Sequence, residues 1–510
     1  MQRWTEAQQH RRLFIYVLIL FGLTVWLRLV VIGLYKVDCG GSDENVLFGV
    51  QRLLLGEALY QNPSQPNFAI VQYTPLYYYT VAGVAKLFGI QALDVQSIYV
   101  TARMLNFIFN LLTVWIAGSM LRTFSLKASR IWTFAMPVIL ILTSHYYTRI
   151  DSLHLLFFVS AMAVYVRSLQ RPHMVLFVVS ALFAGACVMT KQSGMLAIGI
   201  IGCSMLFLER TVLKAVLWGL LSVGFAATIA WIGSGTNWLA FYQNAYLGLK
   251  NGVDWSWPVT IFTSQFYFEI ILFYVLPFII AWDAFRYTTN RVYRFMGLGA
   301  VLSFLFALIT GFKVGSSNNY FIEEILFSLL GLPVLLQSEV RHKILIRLGK
   351  WPLTIGRFSR IAFLALITSK TMGFFTAVYI EKRLVSERDL YTDNQALHQY
   401  FRNQLGLQNN QYVYCTRRDF LDNFFLSSSL MANRDVIFQT WTGAPGTFDY
   451  TRLHEGLNTG LVRYVVTPIE DSGINQLTRE EMPMMQFDTT RFQPIATVNR
   501  YRVYQFTGVP

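Results

Sequence analysis

Apolar runs of roughly twenty residues recur along positions 13–380, separated by short basic connections. A helix needs about 20 such residues to cross the hydrocarbon core of a bilayer, and only helices or closed barrels satisfy their backbone there. We read about eleven runs, at 13–34, 98–121, 131–148, 152–169, 175–190, 194–208, 215–233, 258–282, 295–312, 320–337 and 359–380. The chain has 510 residues, of which 54% are hydrophobic and only 14% charged. A soluble domain carries roughly 25% charged residues, so the expected class is a polytopic α-helical membrane protein.

Cytoplasmic connections collect Lys and Arg, which allows orientation to be read from the charges. With the N-terminus inside, the inner connections hold nineteen Lys or Arg, including Arg11, Arg12, Arg130, Arg341 and Arg360. The opposite face holds seven: Lys36, Arg52, Lys86, Arg149, Lys191, Lys250 and Lys313. The first run follows Arg11-Arg12 as a signal peptide would, but it is long and no small-residue cleavage site follows, so a retained anchor is expected. The long loop 35–97 and the tail 381–510 then lie outside the cytoplasm.

The tail differs in kind. It has 13 Lys/Arg against 14 Asp/Glu, so the net charge of +14 resides in the membrane part. Short β-rich segments at 411–415, 435–439, 464–466 and 501–506 alternate with helical patterns at 395–405 and 419–431. We expect a transmembrane module over 1–380 and a soluble α/β domain over 381–510. Within loop 35–97, the stretch 45–60 places Val46, Leu47, Val50, Leu53, Leu54 and Leu59 at helical spacing, and Pro75 opens a second helical stretch, 75–88. Both suit helices lying along the membrane plane.

Polar side chains gather on the outer face. Asp43 and Glu44 sit side by side shortly beyond the first run, where two carboxylates near lipid are costly unless they face water, cap a helix or do chemistry. Arg149-Ile150-Asp151, Lys191-Gln192, Lys313 and Asn318-Asn319-Tyr320 with Glu323 occupy other span ends, and Tyr73 and Arg103 join them. Each has a plain structural alternative: a hairpin ion pair for Arg149 and Asp151, snorkelling for Lys191 and Lys313. Together they place candidate bases and cations on one side of the bilayer. Cations there attract phosphate, as point charges or bidentate clamps. A base with phosphate-binding cations and access from lipid suits attack by an acceptor hydroxyl on a sugar carried by a polyprenyl phosphate. The four cysteines form no close metal-type pair, and we see no ligand set demanding a metal, nor a cofactor motif; a carboxylate-bound divalent cation is compatible but not indicated. No Asp-x-Asp, Rossmann or Walker A sequence is present.

This pattern resembles the GT-C membrane glycosyltransferases, including the bacterial protein O-mannosyltransferases and aminoarabinose transferases. Asp43-Glu44 matches their acidic pair in a long first outer loop with two membrane-parallel helices. Tyr73-Thr74-Pro75-Leu76-Tyr77, Arg103, Arg149-Ile150-Asp151, Lys191-Gln192 and Gly315-Ser316-Ser317-Asn318-Asn319-Tyr320 resemble further stretches. The likeness covers about 13–380. It implies a GT-C bundle with Asp43 as general base and Glu44 in support. Arg149, Lys191, Lys313 and Arg103 would hold the donor phosphate. Asp151, Tyr73, Gln192, Asn319 and Tyr320 would position the substrate. The implied activity is an inverting hexosyl- or pentosyltransferase of a bacterial plasma membrane. Its donor is a polyprenyl-phosphate sugar, its acceptor a glycan, lipid or protein, and nucleic acid plays no part. The competing reading is a transporter or flippase, which predicts paired halves with ionisable groups at mid-membrane; the sequence shows no internal repeat.

Overall fold

The computed structural model describes residues 6–34, 43–141, 149–250, 252–256, 274–313, 316, 318–348, 351–380, 383–408, 411–415, 423–425, 431–432, 436, 448–469 and 489–508. The first helix, α1, is Glu6–Leu34. Two short helices of the first loop follow, α2 (Asp43–Leu54) and α3 (Leu76–Leu87). The bundle continues with α4 (Val95–Leu121), α5 (Ala128–Ala135), α6 (Val138–Ile141), α7 (Asp151–Gln170) and α8 (Met174–Val188). Then come α9 (Met195–Ser204), α10 (Val212–Gly233), α11 (Trp238–Ala245), α12 (Leu276–Tyr287) and α13 (Arg291–Thr310). The bundle closes with α14 (Ile322–Leu335), a small antiparallel hairpin β1 (Ile344–Leu348) and β2 (Trp351–Thr354), and α15 (Ile355–Phe375).

Among the described residues, seven helices are long and apolar enough to cross a membrane. The other expected runs are shorter helices. Pro137 separates α5 from α6 because proline has no amide to continue the ladder. Met174–Val188 and Ile322–Leu335 also fall below full spanning length. Residues 142–148 and 257–273, in which parts of two expected spans fall, lie outside the described set.

Sequence-encoded caps fix where the helices begin. The Asp94 carboxylate accepts from the Ser97 amide at 3.1 Å ahead of α4. Asn290 accepts from the amides of both Val292 and Tyr293 at the start of α13. Such caps contribute about 1 kcal/mol each. Helix α7 packs on α4 and α8, and α13 on α12 and α14. Phe158, Phe295, Phe327 and Trp218 lie fully inside the resulting core.

The tail begins with α16 (Arg383–Asn403) and contains strands β3 (Tyr412–Cys415), β4 (Val462–Pro468), β5 (Phe492–Val498) and β6 (Tyr501–Phe506), with α17 (Thr451–Thr459) preceding β4. The sheet order is β3-β4-β6-β5, parallel between β3 and β4 and antiparallel elsewhere. This is the small α/β domain the sequence suggests, but it does not stand apart. Phe68 and Ile70 of the first loop share an apolar cluster with Tyr414, Val465 and Tyr504, and Phe48 of α2 shares another with Phe401 and Tyr464. The Phe68 amide donates to the Met431 carbonyl at 3.0 Å.

Asn423 is the deepest polar tie between tail and loop, at 1% exposure. Its amide group donates to the Gln51 side chain at 2.8 Å and to the Glu44 carbonyl at 3.1 Å, while its own oxygen accepts from Tyr99. Asn423→Ala leaves several buried groups without these partners and is expected to cost roughly 2–4 kcal/mol. Thermal unfolding and protease sensitivity of the tail check this; a variant as resistant as the parent refutes the tie.

Candidate functional site

The first loop reaches the bundle through Tyr73-Thr74-Pro75. The Thr74 hydroxyl donates to the Val188 carbonyl at 3.0 Å, and the Leu76 amide donates to the Met189 carbonyl at 2.9 Å. The loop is thereby stapled to the C-terminal end of α8. The chain then turns sharply: the Lys191 amide donates back to the Cys187 carbonyl at 3.1 Å. Gly194 makes this return tight enough, since a Cβ there would stand 2.4 Å from the Cys187 carbonyl carbon. Gln192 fixes the turn in place, its amide donating to the carbonyls of Gln72 at 2.8 Å and Ala245 at 2.6 Å. Both N–H groups of the Gln192 side chain therefore serve the architecture rather than a substrate.

On this platform, residues from four segments converge. Lys191 Nζ donates to Asp151 Oδ1 at 2.7 Å, and Asn319 Nδ2 approaches the same oxygen at 3.4 Å. Asp151 is the first residue of α7 and is 3% exposed. Lys191 Nζ also lies 5.4 Å from the Tyr320 ring centroid, within cation–π range. Tyr73 and Arg149 complete the group, both half-buried. Burial pushes the Tyr73 phenol up to about 12; Asp151 and Tyr320 add to this, against the opposing pull of Arg149 and Lys191. Tyr73 is thus a neutral hydroxyl donor across the physiological range. Burial disfavours charge on Lys191, but Asp151, Tyr320, Tyr73 and Glu323 outweigh it and raise its proton affinity above the ordinary lysine value. The lysine is a permanent cation already engaged by a carboxylate, so a bound phosphate would share it with Asp151.

Beneath this group lies a second polar tier. His154 Nε2 is 2.7 Å from Glu323 Oε1, and Cys187 Sγ is 3.3 Å from His154 Nδ1. His154 thereby bridges Glu323 and Cys187 through its two ring nitrogens, and the Cys187 thiol also lies 3.5 Å from the His154 carbonyl. Sequence reasoning paired Glu323 with the outer polar set but missed His154 and Cys187, because both sit inside apolar runs. Helical register carried the signal: His154 follows Asp151 by about one turn, and Cys187 precedes Lys191 by the same interval.

The remaining expected residues lie on other elements. Asp43 and Glu44 are the first two residues of α2; the Asp43 side chain lies outside the described set, and Glu44 is fully buried. Arg103 is 1% exposed on α4, with its guanidinium 4.8 Å from the Tyr99 ring centroid. That ring belongs to the network of Asn423, Gln51 and the Glu44 carbonyl. Lys313 pairs through its backbone with Val253. A common apolar cluster holds Leu47 and Val50 of α2, Tyr99 and Ala102 of α4, Leu153 of α7 and Met189 beyond α8. The helix that begins at Asp43 is thus packed in one cluster with the elements that carry Asp151 and Lys191.

No protein-family model matches the sequence, and no curated protein matches it. Solved structures do. ArnT from Cupriavidus metallidurans in the apo state is similar over 96% of this chain and 97% of its own, with TM-score 0.56 at 13% identity. The same protein bound to undecaprenyl phosphate is similar with TM-score 0.53 over the same shares. The oligosaccharyltransferase AglB from Archaeoglobus fulgidus, in complex with an inhibitory peptide and a dolichol-phosphate, gives TM-score 0.51 at 14% identity, over 92% of this chain and 70% of its own. These likenesses, at 13–14% identity, show a shared fold. The chain has that fold: it is a multi-pass helical membrane protein with a C-terminal α/β domain.

Proposed function

We propose that the protein is an inverting glycosyltransferase that moves a sugar from a polyprenyl-phosphate donor to an acceptor hydroxyl at the extracytoplasmic face. The observation that carries this reading is the convergence of Tyr73, Arg149, Asp151, Lys191, Asn319 and Tyr320 on one place in a GT-C fold. Two cations and a neutral phenol suit a phosphate diester whose leaving oxygen gains charge as the sugar departs. Similar proteins of known structure were solved with undecaprenyl phosphate and with a dolichol-phosphate.

In the proposed reaction Asp43 accepts the proton of the acceptor hydroxyl. The acceptor oxygen forms a bond to the anomeric carbon from the face opposite the phosphate. The carbon–oxygen bond to phosphate breaks, and polyprenyl phosphate leaves with the electron pair. Phosphate needs charge neutralisation rather than protonation, so one base and the cations suffice. Asp151 keeps Lys191 in place, and Asn319 and Tyr320 border the same carboxylate and ammonium. Glu44 supports the start of α2. Arg103 and Lys313 are assigned to the donor side by resemblance to the family pattern; Arg103 in addition braces Tyr99. The N-terminus is assigned to the cytoplasm and the tail to the outer side of a bacterial plasma membrane, from the distribution of Lys and Arg.

Comparing lipid-linked sugars by mass spectrometry in cells with and without the gene tests the reading. Deletion is expected to accumulate one polyprenyl-phosphate sugar and to deplete one glycan; no change in either overturns it. Within the site, Tyr73→Phe removes a donor to a charged group without changing shape. It is expected to raise KM for the donor lipid about ten- to hundredfold, in line with the roughly 1.5–3 kcal/mol of a hydrogen bond to a charged partner. Steady-state kinetics with the purified protein check it, and an unchanged KM removes Tyr73 from the donor site.

A further inference from the structure

The opposite end of the bundle holds a cavity that the proposed reaction does not use. Helix α1 runs from it toward α2, α14 runs toward it from Tyr320, and α15 begins beside it. Its volume is about 230 Å³. A water occupies about 30 Å³ of liquid, so the space admits several waters or one phosphate group. Gln9, His10, Arg130, Gln337, Arg341 and Arg360 supply its polar wall, and leucine, phenylalanine and proline side chains supply the rest. Among the described residues, the lining contains three guanidiniums, one imidazole and no carboxylate.

Guanidiniums brought together repel one another, and an anion among them relieves that cost. Four separate elements contribute: α1, α5, the end of α14 with the turn after it, and α15. Two of the arginines are already oriented. Arg360 Nη1 donates to Gln9 Oε1 at 3.3 Å, and Arg341 Nη1 donates to the Leu336 carbonyl at 2.9 Å. Arg360 and Leu364, one turn apart on α15, are both exposed at the rim, so charge and hydrocarbon stand side by side there. Arginine forks match phosphate oxygens in pairs, and an apolar lip beside them accommodates hydrocarbon.

We propose that this cavity binds a phosphate group, with an anionic phospholipid as the ligand that also satisfies its apolar rim. Bound there, the phosphate links α1 to α15, the first and last helices of the bundle, at the end remote from Lys191 and Asp151.

The test uses the purified full-length protein in zwitterionic detergent, with unfolding midpoints read on addition of phosphatidylglycerol, phosphatidylcholine or inorganic phosphate. Phosphatidylglycerol is expected to raise the midpoint and phosphatidylcholine to leave it unchanged. Stabilisation by inorganic phosphate as well identifies the phosphate alone as sufficient; stabilisation by phosphatidylglycerol only identifies the lipid. Arg130→Gln/Arg360→Gln is expected to weaken the phosphatidylglycerol effect about tenfold or more, as loss of charge-assisted hydrogen bonds implies. Arg167→Gln/Arg171→Gln, which removes two exposed charges from the same end of the bundle, is expected to leave it intact. Leu13→Trp fills the cavity while keeping every charge and is expected to abolish the effect. No stabilisation of the parent by either anion, or equal loss in the two double variants, overturns the proposal.

Discussion

Asp43→Asn is expected to lower turnover by roughly 10²- to 10⁴-fold while the protein stays folded, the range associated with loss of a general base. The substitution keeps size and hydrogen-bonding capacity at the first residue of α2 and removes only the basicity. Helix start and stability should therefore change little, since the two side chains have the same shape. The measurement is release of polyprenyl phosphate from a radiolabelled donor, with donor affinity determined separately. An Asp43→Asn protein that turns over within a few-fold of the parent refutes the base assignment. One that loses donor binding as well as rate points to a transporter-like role in which the carboxylate holds cargo.

Asp151→Asn should produce the largest loss of stability of any single substitution in the site. It leaves the Lys191 ammonium buried among Tyr320, Tyr73 and the α8 terminus with no carboxylate in contact. Removing one partner of a buried pair costs roughly 3–5 kcal/mol, whereas replacing both with apolar groups of similar volume is often close to neutral. The double variant Asp151→Asn/Lys191→Met is therefore expected to recover more than half of the lost stability, with activity still absent. Unfolding of the four proteins of this cycle in one detergent decides the matter. Additive effects of the two substitutions would mean that the 2.7 Å contact does not couple them.

The membrane part was legible because burial in lipid leaves a one-dimensional signature: long apolar runs, charged ends and biased loops. The expected helix at 75–88 is found at Leu76–Leu87, and that at 45–60 begins at Asp43 and ends at Leu54. Segments that depend on partners distant in sequence were harder. Strand β5 was missed because Pro494 interrupts its pattern; the strand tolerates the proline because it lies at the sheet edge beside β6 alone. Most of the expected strand at 435–439 and most of the helix at 419–431 lie outside the described residues. The docking of the tail on the first loop left no trace in either segment read singly, since Phe68 meets Met431 only in the folded chain. Within the site, Asp151, Lys191 and Asn319 were readable as polar residues at span ends. His154 and Cys187 were not, because a buried polar group in an apolar helix reveals its purpose only when its partner, here Glu323, is brought from another helix.

The tie between Asn423 and the backbone of Glu44 bears on how such proteins can be recombined. A chimera that grafts a foreign tail onto this bundle would leave the opening turn of α2 without its anchor unless an amide arrives at the same place. Residues 43–75 and the tail therefore form one exchangeable cassette, and swaps cut between them should express poorly even when every catalytic side chain is retained.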